Sequence, residues 1–241
     1  MTGKAFFIDT TLCTGCRGCQ IACKQWNQLP ATKTINRGSH QNPADLSACT
    51  WKLIRFNEIL GPDGKPRWYF FADQCRHCLD PPCMQVVTTP GAIIQDAATG
   101  AIVHTVKLST FDYQELRDSC PFDIPRVNAN NIPGKCTMCL DRVHNGLLPA
   151  CVKTCPTGAM NFGDRDRMVE LAASRLEARK KVNPNAQVTG LDDLRVFYLL
   201  DSNTADYWEF AEAGFTVKIN RMQAMKRLLK PFKTLAGIPS A

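Results

Sequence analysis

The stretch CTGCRGCQIAC (residues 13–23) sets Cys13, Cys16, Cys19 and Cys23 in the order C-x2-C-x2-C-x3-C. Eight further cysteines repeat parts of that pattern. Cys75, Cys78 and Cys83 read C-x2-C-x4-C, and Cys120 stands alone before Pro121. Cys136, Cys139, Cys151 and Cys155 form a second complete set, with Pro156 after the last. Four thiolates crowded in this way suit cubane iron–sulfur clusters. Structural zinc also uses C-x2-C knuckles, but it separates two knuckles by a longer loop than residues 13–23 allow.

In bacterial two-cluster ferredoxins, three closely spaced thiolates hold one cube and the fourth cysteine of the run reaches across to the other. That rule assigns Cys13, Cys16, Cys19 and Cys155 to a first cluster. It assigns Cys23, Cys136, Cys139 and Cys151 to a second. The remaining two groups form a deficient unit. A full set would carry cysteines also at 87, 110, 113 and 116, where Val87, Thr110, Tyr113 and Leu116 stand. All four missing thiolates belong to one cube, and the surviving Cys75, Cys78, Cys83 and Cys120 complete the other. Three [4Fe–4S] clusters are therefore expected, with all twelve cysteines as iron ligands. Val87, Tyr113 and Leu116 are expected to fill the volume of the lost cube, because interiors are close-packed.

The thirteenth cysteine, Cys49, has no partner group and reads as a small buried hydrophobe. An odd cysteine count in 241 residues argues against a disulfide scaffold. The formal charge of +7 shrinks once each cube adds about −2, so basicity is weak evidence for nucleic-acid binding. Six basic residues fall in the tail (Lys218, Arg221, Lys226, Arg227, Lys230 and Lys233), which leaves +1 for the rest of the chain. No apolar run reaches the roughly 18 residues of a membrane span, and Asp9 interrupts the N-terminus before a signal peptide can form. His77, inside the Cys75–Cys78 loop, reads either as a donor toward a cluster sulfur or as a packed or solvated loop histidine. His40, His104 and His144 show no ligand spacing. No nucleophile elbow, zincin, P-loop or dinucleotide motif appears, so no catalytic residue is assigned.

Apolar or alternating runs at 5–8, 51–56 and 67–71 predict strands leading to cysteine groups. Residues 92–95 and 101–105 predict a hairpin about Gly100. Short helices are expected after Cys19, Cys83 and Cys151, and between Ser109 and Ser119. Met168, Leu171, Ala172 and Leu176 mark one face of a longer helix that begins near Gly163-Asp164 and ends before Asn183-Pro184-Asn185. Residues 195–200 read as a buried strand. Met222, Met225, Leu228 and Leu229 give the tail an apolar side, which Pro231 breaks.

The segments CTGCRGCQIACKQWNQLP (13–30), NPADLSACTW (42–51), CRHCLDPPC (75–83), SCPFDIPR (119–126) and CVKTCPTGAMNFGD (151–164) resemble the iron–sulfur beta subunits of molybdenum- or tungsten-dependent formate dehydrogenases. The resemblance covers nearly the whole chain and is with the smaller, three-cluster subunits of the soluble enzymes. Similar subunits have Lys where Cys49 stands, which supports a non-ligand role for Cys49. The implied fold is α+β, with two ferredoxin-like units, the second inserted in the first. These are residues 1–60 plus 130–163 with two clusters and 61–129 with one, followed by a C-terminal helical and strand extension, 164–241. The implied function is an electron relay from a Mo/W-bis-pterin catalytic alpha subunit that oxidises formate or reduces CO2. The external acceptor would be a cytochrome c, a ferredoxin-like carrier or a membrane subunit. Alternatives are the same relay for a polysulfide, dimethyl sulfoxide or nitrate enzyme, a free-standing carrier, and a zinc-stabilised nucleic-acid-binding module. Membrane-bound relatives continue after a segment similar to LLKPFKTLAGI into an anchor, whereas this sequence ends at Ala241; the tail is expected to clasp the catalytic subunit, the alternatives being contact with an anionic lipid surface or docking of an acidic redox partner. With no leader of its own, the chain is expected in the periplasm by co-export with that subunit, the alternative being the cytoplasm.

Overall fold

In a computed structural model, which describes residues 3–61 and 63–213, the chain is organised by a four-stranded mixed sheet. Strand β1 (Lys4–Asp9) leads through a 3-10 turn (Thr10–Leu12) into the first cysteine loop and helix α1 (Gly18–Trp26). Strands β2 (Leu53–Leu60) and β3 (Pro66–Asp73) form a hairpin, followed by α2 (Pro82–Val86) and the small hairpin of β4 (Ile93–Gln95) and β5 (Ile102–His104). A second 3-10 turn (Val106–Thr110) precedes α3 (Tyr113–Asp118). Two-residue strands β6 (Arg126–Val127) and β7 (Pro133–Gly134) then lead to α4 (Leu140–His144) and α5 (Ala150–Lys153). The chain continues through β8 (Met160–Asp164), α6 (Arg165–Lys180), β9 (Gln187–Thr189), β10 (Val196–Leu200) and α7 (Thr204–Tyr207).

The main sheet runs β8-β1-β10-β9, with β1 parallel to β10 and antiparallel to β8. Its two central strands are apolar at nearly every position because both faces are covered. Phe6, Ile8, Val196, Tyr198 and Leu200 face the cysteine-bearing side together with Met160, Cys19 and Cys151. Ala5, Phe7, Phe197 and Leu199 point the other way, under Met168, Leu171, Ala172 and Leu176 of α6. That is the helix face expected from the sequence. Residues 196–200, which read as part of an extension, thus form a central strand of the sheet that also holds the N-terminus.

Strand β2 extends four residues beyond its expected end, because the tight turn at Gly61 lets it pair with all of β3. Phe56 stands opposite Phe70 in that ladder. The position chosen from sequence to divide the two units, after residue 60, falls in the turn of this hairpin. The β4–β5 hairpin forms as expected. Gly100 at its turn has φ +76°, and a Cβ there would lie 2.0 Å from Nε of Arg195. The basic tail, Lys218 to Lys233, lies outside the described residues.

A buried ionic network ties the loops to the β2–β3 hairpin. Asp73, wholly buried, accepts from Arg55 at 2.8 Å and from Arg76 at 3.1 Å. Arg55 also reaches Asp45 at 2.6 Å, and Arg126 joins Asp45 at 2.7 Å to Asp123 at 2.9 Å. The Arg76 guanidinium stands about 5 Å from the rings of Phe71, Phe122 and Tyr198. Burial pushes the Asp45 carboxyl up, but hydrogen bonds from Arg126 and Arg55 more than offset it and hold it below the usual range. Removing one partner of such a network strands the others in a low-dielectric interior. Asp73→Asn should therefore lower unfolding free energy by about 3–5 kcal/mol, measured by denaturant unfolding of the iron-loaded protein.

Candidate iron–sulfur centres

The first loop turns sharply because Gly15 takes φ +66°. His77 and Met138 occupy the same place in the Cys75–Cys78 and Cys136–Cys139 loops, at φ +47° and +63°. Each is the residue before the second cysteine. Non-glycine residues seldom adopt this conformation unless the surroundings fix it. Here it turns backbone N–H groups inward. The His77 amide approaches Cys75 Sγ at 3.5 Å and the Met138 amide approaches Cys136 Sγ at 3.4 Å. Three loops thus aim donors at their own first thiol, an arrangement suited to sulfur that carries negative charge.

Helices supply the rest. Cys19 and Cys23 lie four residues apart in α1, so they share one face on successive turns. Cys151 in α5 and Cys155 just beyond it repeat that spacing, and α5 packs against α1. The result is a crossing: Cys13 feels the negative fields of Cys19, Cys155 and Cys16, whereas Cys23 feels those of Cys136, Cys151 and Cys139. Cys13, Cys16, Cys19 and Cys155 also line one pocket. A third group forms where Cys78 faces Cys75, Cys120 and Cys83. All twelve cysteines singled out in the sequence are therefore gathered as three quartets. Cys49 joins none of them. It is half-buried rather than buried, with its Sγ 3.4 Å from Ser47 Oγ in a tight turn.

The quartets form a row. Cys151 of the second faces Cys19 of the first, and Cys136 of the second faces Cys75 of the third. Exposure follows the same order. The four thiols of the second quartet are all buried, whereas the first contains exposed Cys16 and the third is half-buried throughout.

At the site of the missing cube, α2 and α3 pack together as α1 and α5 do. Val87 follows Cys83 by four residues and Leu116 precedes Cys120 by four, so they occupy the positions that Cys23 and Cys151 hold in the complete unit. Both are buried in an apolar cluster with Val86, Ile93, Ile102 and Leu108. Tyr113 and Thr110 depart from expectation or add nothing to it. Tyr113 is half-buried at the margin, its hydroxyl donating to the Pro125 carbonyl at 3.2 Å, and exposed Thr110 bonds only locally. The volume is filled by Ile93, Ile102 and Leu108 instead, which no cysteine spacing marks.

His77 is fully buried and lies against the neighbouring quartet, not its own loop's sulfurs. Its Nδ1 accepts the Ile102 amide at 3.0 Å, which leaves the proton on Nε2, 3.5 Å from Cys136 Sγ. Spacing placed His77 in the third loop; only the fold shows that it reaches the second quartet.

The electrostatics test whether iron–sulfur clusters fit here. Burial pushes the Cys13 and Cys120 thiols up to about 11 and those of Cys83, Cys136 and Cys151 up to about 12. Cys155 moves the other way: burial raises it, but amides of Met160, Thr157 and Ala159 and the Thr157 hydroxyl hold it below the ordinary thiol range. Buried thiols of this kind become thiolates when iron replaces their protons. Two buried lysines, Lys52 and Lys135, meet no carboxylate at ion-pair distance among the described residues. Such charges persist only beside buried anions, and cluster-bound thiolates are anionic.

Comparison with known proteins agrees. The 4Fe-4S dicluster domain family matches residues 66–165. Formate dehydrogenase 2 subunit beta (cytochrome c-553) of Nitratidesulfovibrio vulgaris is 49% identical over 214 residues, 86% of this chain and 98% of that protein. The formate dehydrogenase beta subunit of Megalodesulfovibrio gigas is 49% identical over 87% of this chain and 99% of its own length. The chain belongs to the family of formate dehydrogenase iron–sulfur (beta) subunits. The formate dehydrogenase-O iron-sulfur subunit of Escherichia coli is 42% identical over 81% of this chain but only 66% of that longer protein. The fold is accordingly α+β with ferredoxin-like [4Fe–4S] units, and no described helix is long and apolar enough to cross a membrane. In this beta subunit, truncating the side chain that stands where a ligand of the fourth cube would be should affect packing alone. Leu116→Ala is expected to cost about 2–5 kcal/mol in unfolding free energy while iron per chain stays at the wild-type value.

Proposed function

We propose that this chain relays single electrons from a Mo/W-pterin formate dehydrogenase catalytic subunit to an external acceptor. The relay runs through three [4Fe–4S] clusters held by Cys13, Cys16, Cys19 and Cys155, by Cys23, Cys136, Cys139 and Cys151, and by Cys75, Cys78, Cys83 and Cys120. When bound, such clusters take up and release single electrons. The carrying observation is the row of quartets whose middle member is buried and whose ends approach the surface. A wire needs that arrangement, since only its ends must meet partners. The chain's own residues hold the iron, direct amides at sulfur and exclude water, while chemistry on carbon belongs to the partner. Two clusters lie in residues 1–60 plus 130–163 and one in 61–129, with the strands at 187–189 and 196–200 completing the sheet.

The printed name of the N. vulgaris relative, which aligns over 98% of its length, favours a c-type cytochrome as acceptor. The proposed location is the periplasm, and because ligands as far apart as Cys13 and Cys155 meet only in the folded chain, export would carry an already assembled complex with the catalytic subunit. Fractionation of native cells that found the complex only in the cytoplasm would remove that part of the reading.

The test is to purify the chain with its native catalytic partner, count iron and follow formate-driven reduction by EPR. Twelve irons in this subunit and three reducible centres are expected. Cys120→Ala should lose four irons and the EPR signal of one cluster. Transfer to the acceptor should stop, while formate oxidation with a small artificial dye continues. Unchanged iron in Cys120→Ala would refute the ligand assignment.

A further inference from the structure

Arg55, Arg76 and Arg126 are matched by Asp73, Asp45 and Asp123 at ion-pair distance. Buried Arg142 and Arg165 donate to the carbonyls of Leu148 and Leu191, away from the seams between quartets. Lys52 and Lys135 meet no carboxylate at ion-pair distance among the described residues. Lys52, just before β2, is 2% exposed and donates to Oε1 of Gln74, itself wholly buried. Lys135, 4% exposed, donates to the carbonyls of Ile102 and Cys136. Neutral oxygens satisfy hydrogen-bonding capacity but do not neutralise charge, and a lone ammonium in an apolar interior is costly.

The two lysines stand at the two seams of the row. Lys52 acts on Cys19 of the first quartet and on Cys151, Cys136 and Cys23 of the second. Lys135 acts on Cys136 of the second and Cys83 of the third. A cluster gains negative charge when it accepts an electron. A fixed cation nearby at low dielectric therefore favours the reduced form and raises the reduction potential. A cation shared by two clusters does this for both, and it offsets the repulsion that a charge on one exerts on the other.

We propose that Lys52 is a redox-tuning residue whose fixed charge, set between the first and second quartets, raises the potentials of both clusters. Lys135 does the same between the second and third. This keeps the buried middle cluster, which has least access to water, within reach of its neighbours. The inference rests on the three-cluster reading above and adds to it which side chains set the potentials and in which pairs.

The experiment is a potentiometric titration followed by EPR, with iron counting, on the complex of this chain and its catalytic subunit. Lys52→Met keeps the length of the side chain and removes its charge. The midpoint potentials of the first two clusters should each fall by at least the 59 mV of a tenfold weaker one-electron uptake, and the third should not move. Lys135→Met should lower the second and third and spare the first. Full iron with unchanged potentials in Lys52→Met, or an equal shift of all three, overturns the proposal. Should Lys52→Met lose iron, Lys52→Arg decides the matter. With charge retained, both potentials should stay within a tenfold change of wild type, and a joint fall would show that shape rather than charge sets them. Fewer than three redox steps in the wild-type complex would instead overturn the three-cluster reading, whatever the lysine variants do.

Discussion

Twelve thiols gathered in three quartets would, once they hold [4Fe–4S] clusters as thiolates, be a concentration of negative charge that an apolar interior does not accept alone. The fold depends on meeting that charge from within. Backbone amides at the turns of three cysteine loops, the Nε2–H of His77 and the ammonium groups of Lys52 and Lys135 all point at sulfur or at the seams between quartets. Arg55, Arg76 and Arg126 are paired with aspartates and serve to hold the loops in place, and Arg76 also faces Cys78 and Cys120 of the third quartet.

Helical geometry explains why the units cross their ligands and why a cube is lost as a whole. A C-x3-C pair sits on one helix face over successive turns, so each helix gives one thiol to either cluster. Two packed helices tie the cubes together, as α1 and α5 do. In the second unit α2 and α3 keep the same packing, with Val87 and Leu116 at the equivalent turns inside a continuous apolar cluster. One site is then a cofactor centre and its counterpart an ordinary core, on the same backbone plan. A partial set of thiols at the second site would have left buried polar groups without iron to bind, which costs more than apolar filling.

The row of quartets carries the relay reading of this chain. A buried middle and two ends near the surface make a conductor, and formate chemistry enters only through the company the relatives keep. Strand β10 links this row to the far end of the chain, because it lies beside β1 at the centre of the sheet that seats the first cysteine loop.

Much of this was legible in the sequence. Cysteine spacing marks the four local groups, since iron–sulfur ligation imposes local distances that a motif can express, and the ferredoxin crossing rule sorts them into three sets of four. The apolar face of α6 and the runs at β1 and β10 were equally plain, because periodicity reports burial. What spacing cannot express is contact between distant segments. The sequence holds no sign that His77 reaches Cys136, that Gln74 receives Lys52, or that Ile93, Ile102 and Leu108 fill the place of the lost cube while Tyr113 stays at its edge. Those are decisions of tertiary packing, in which a side chain's role depends on what the fold brings within a few ångströms of it and not on its neighbours along the chain.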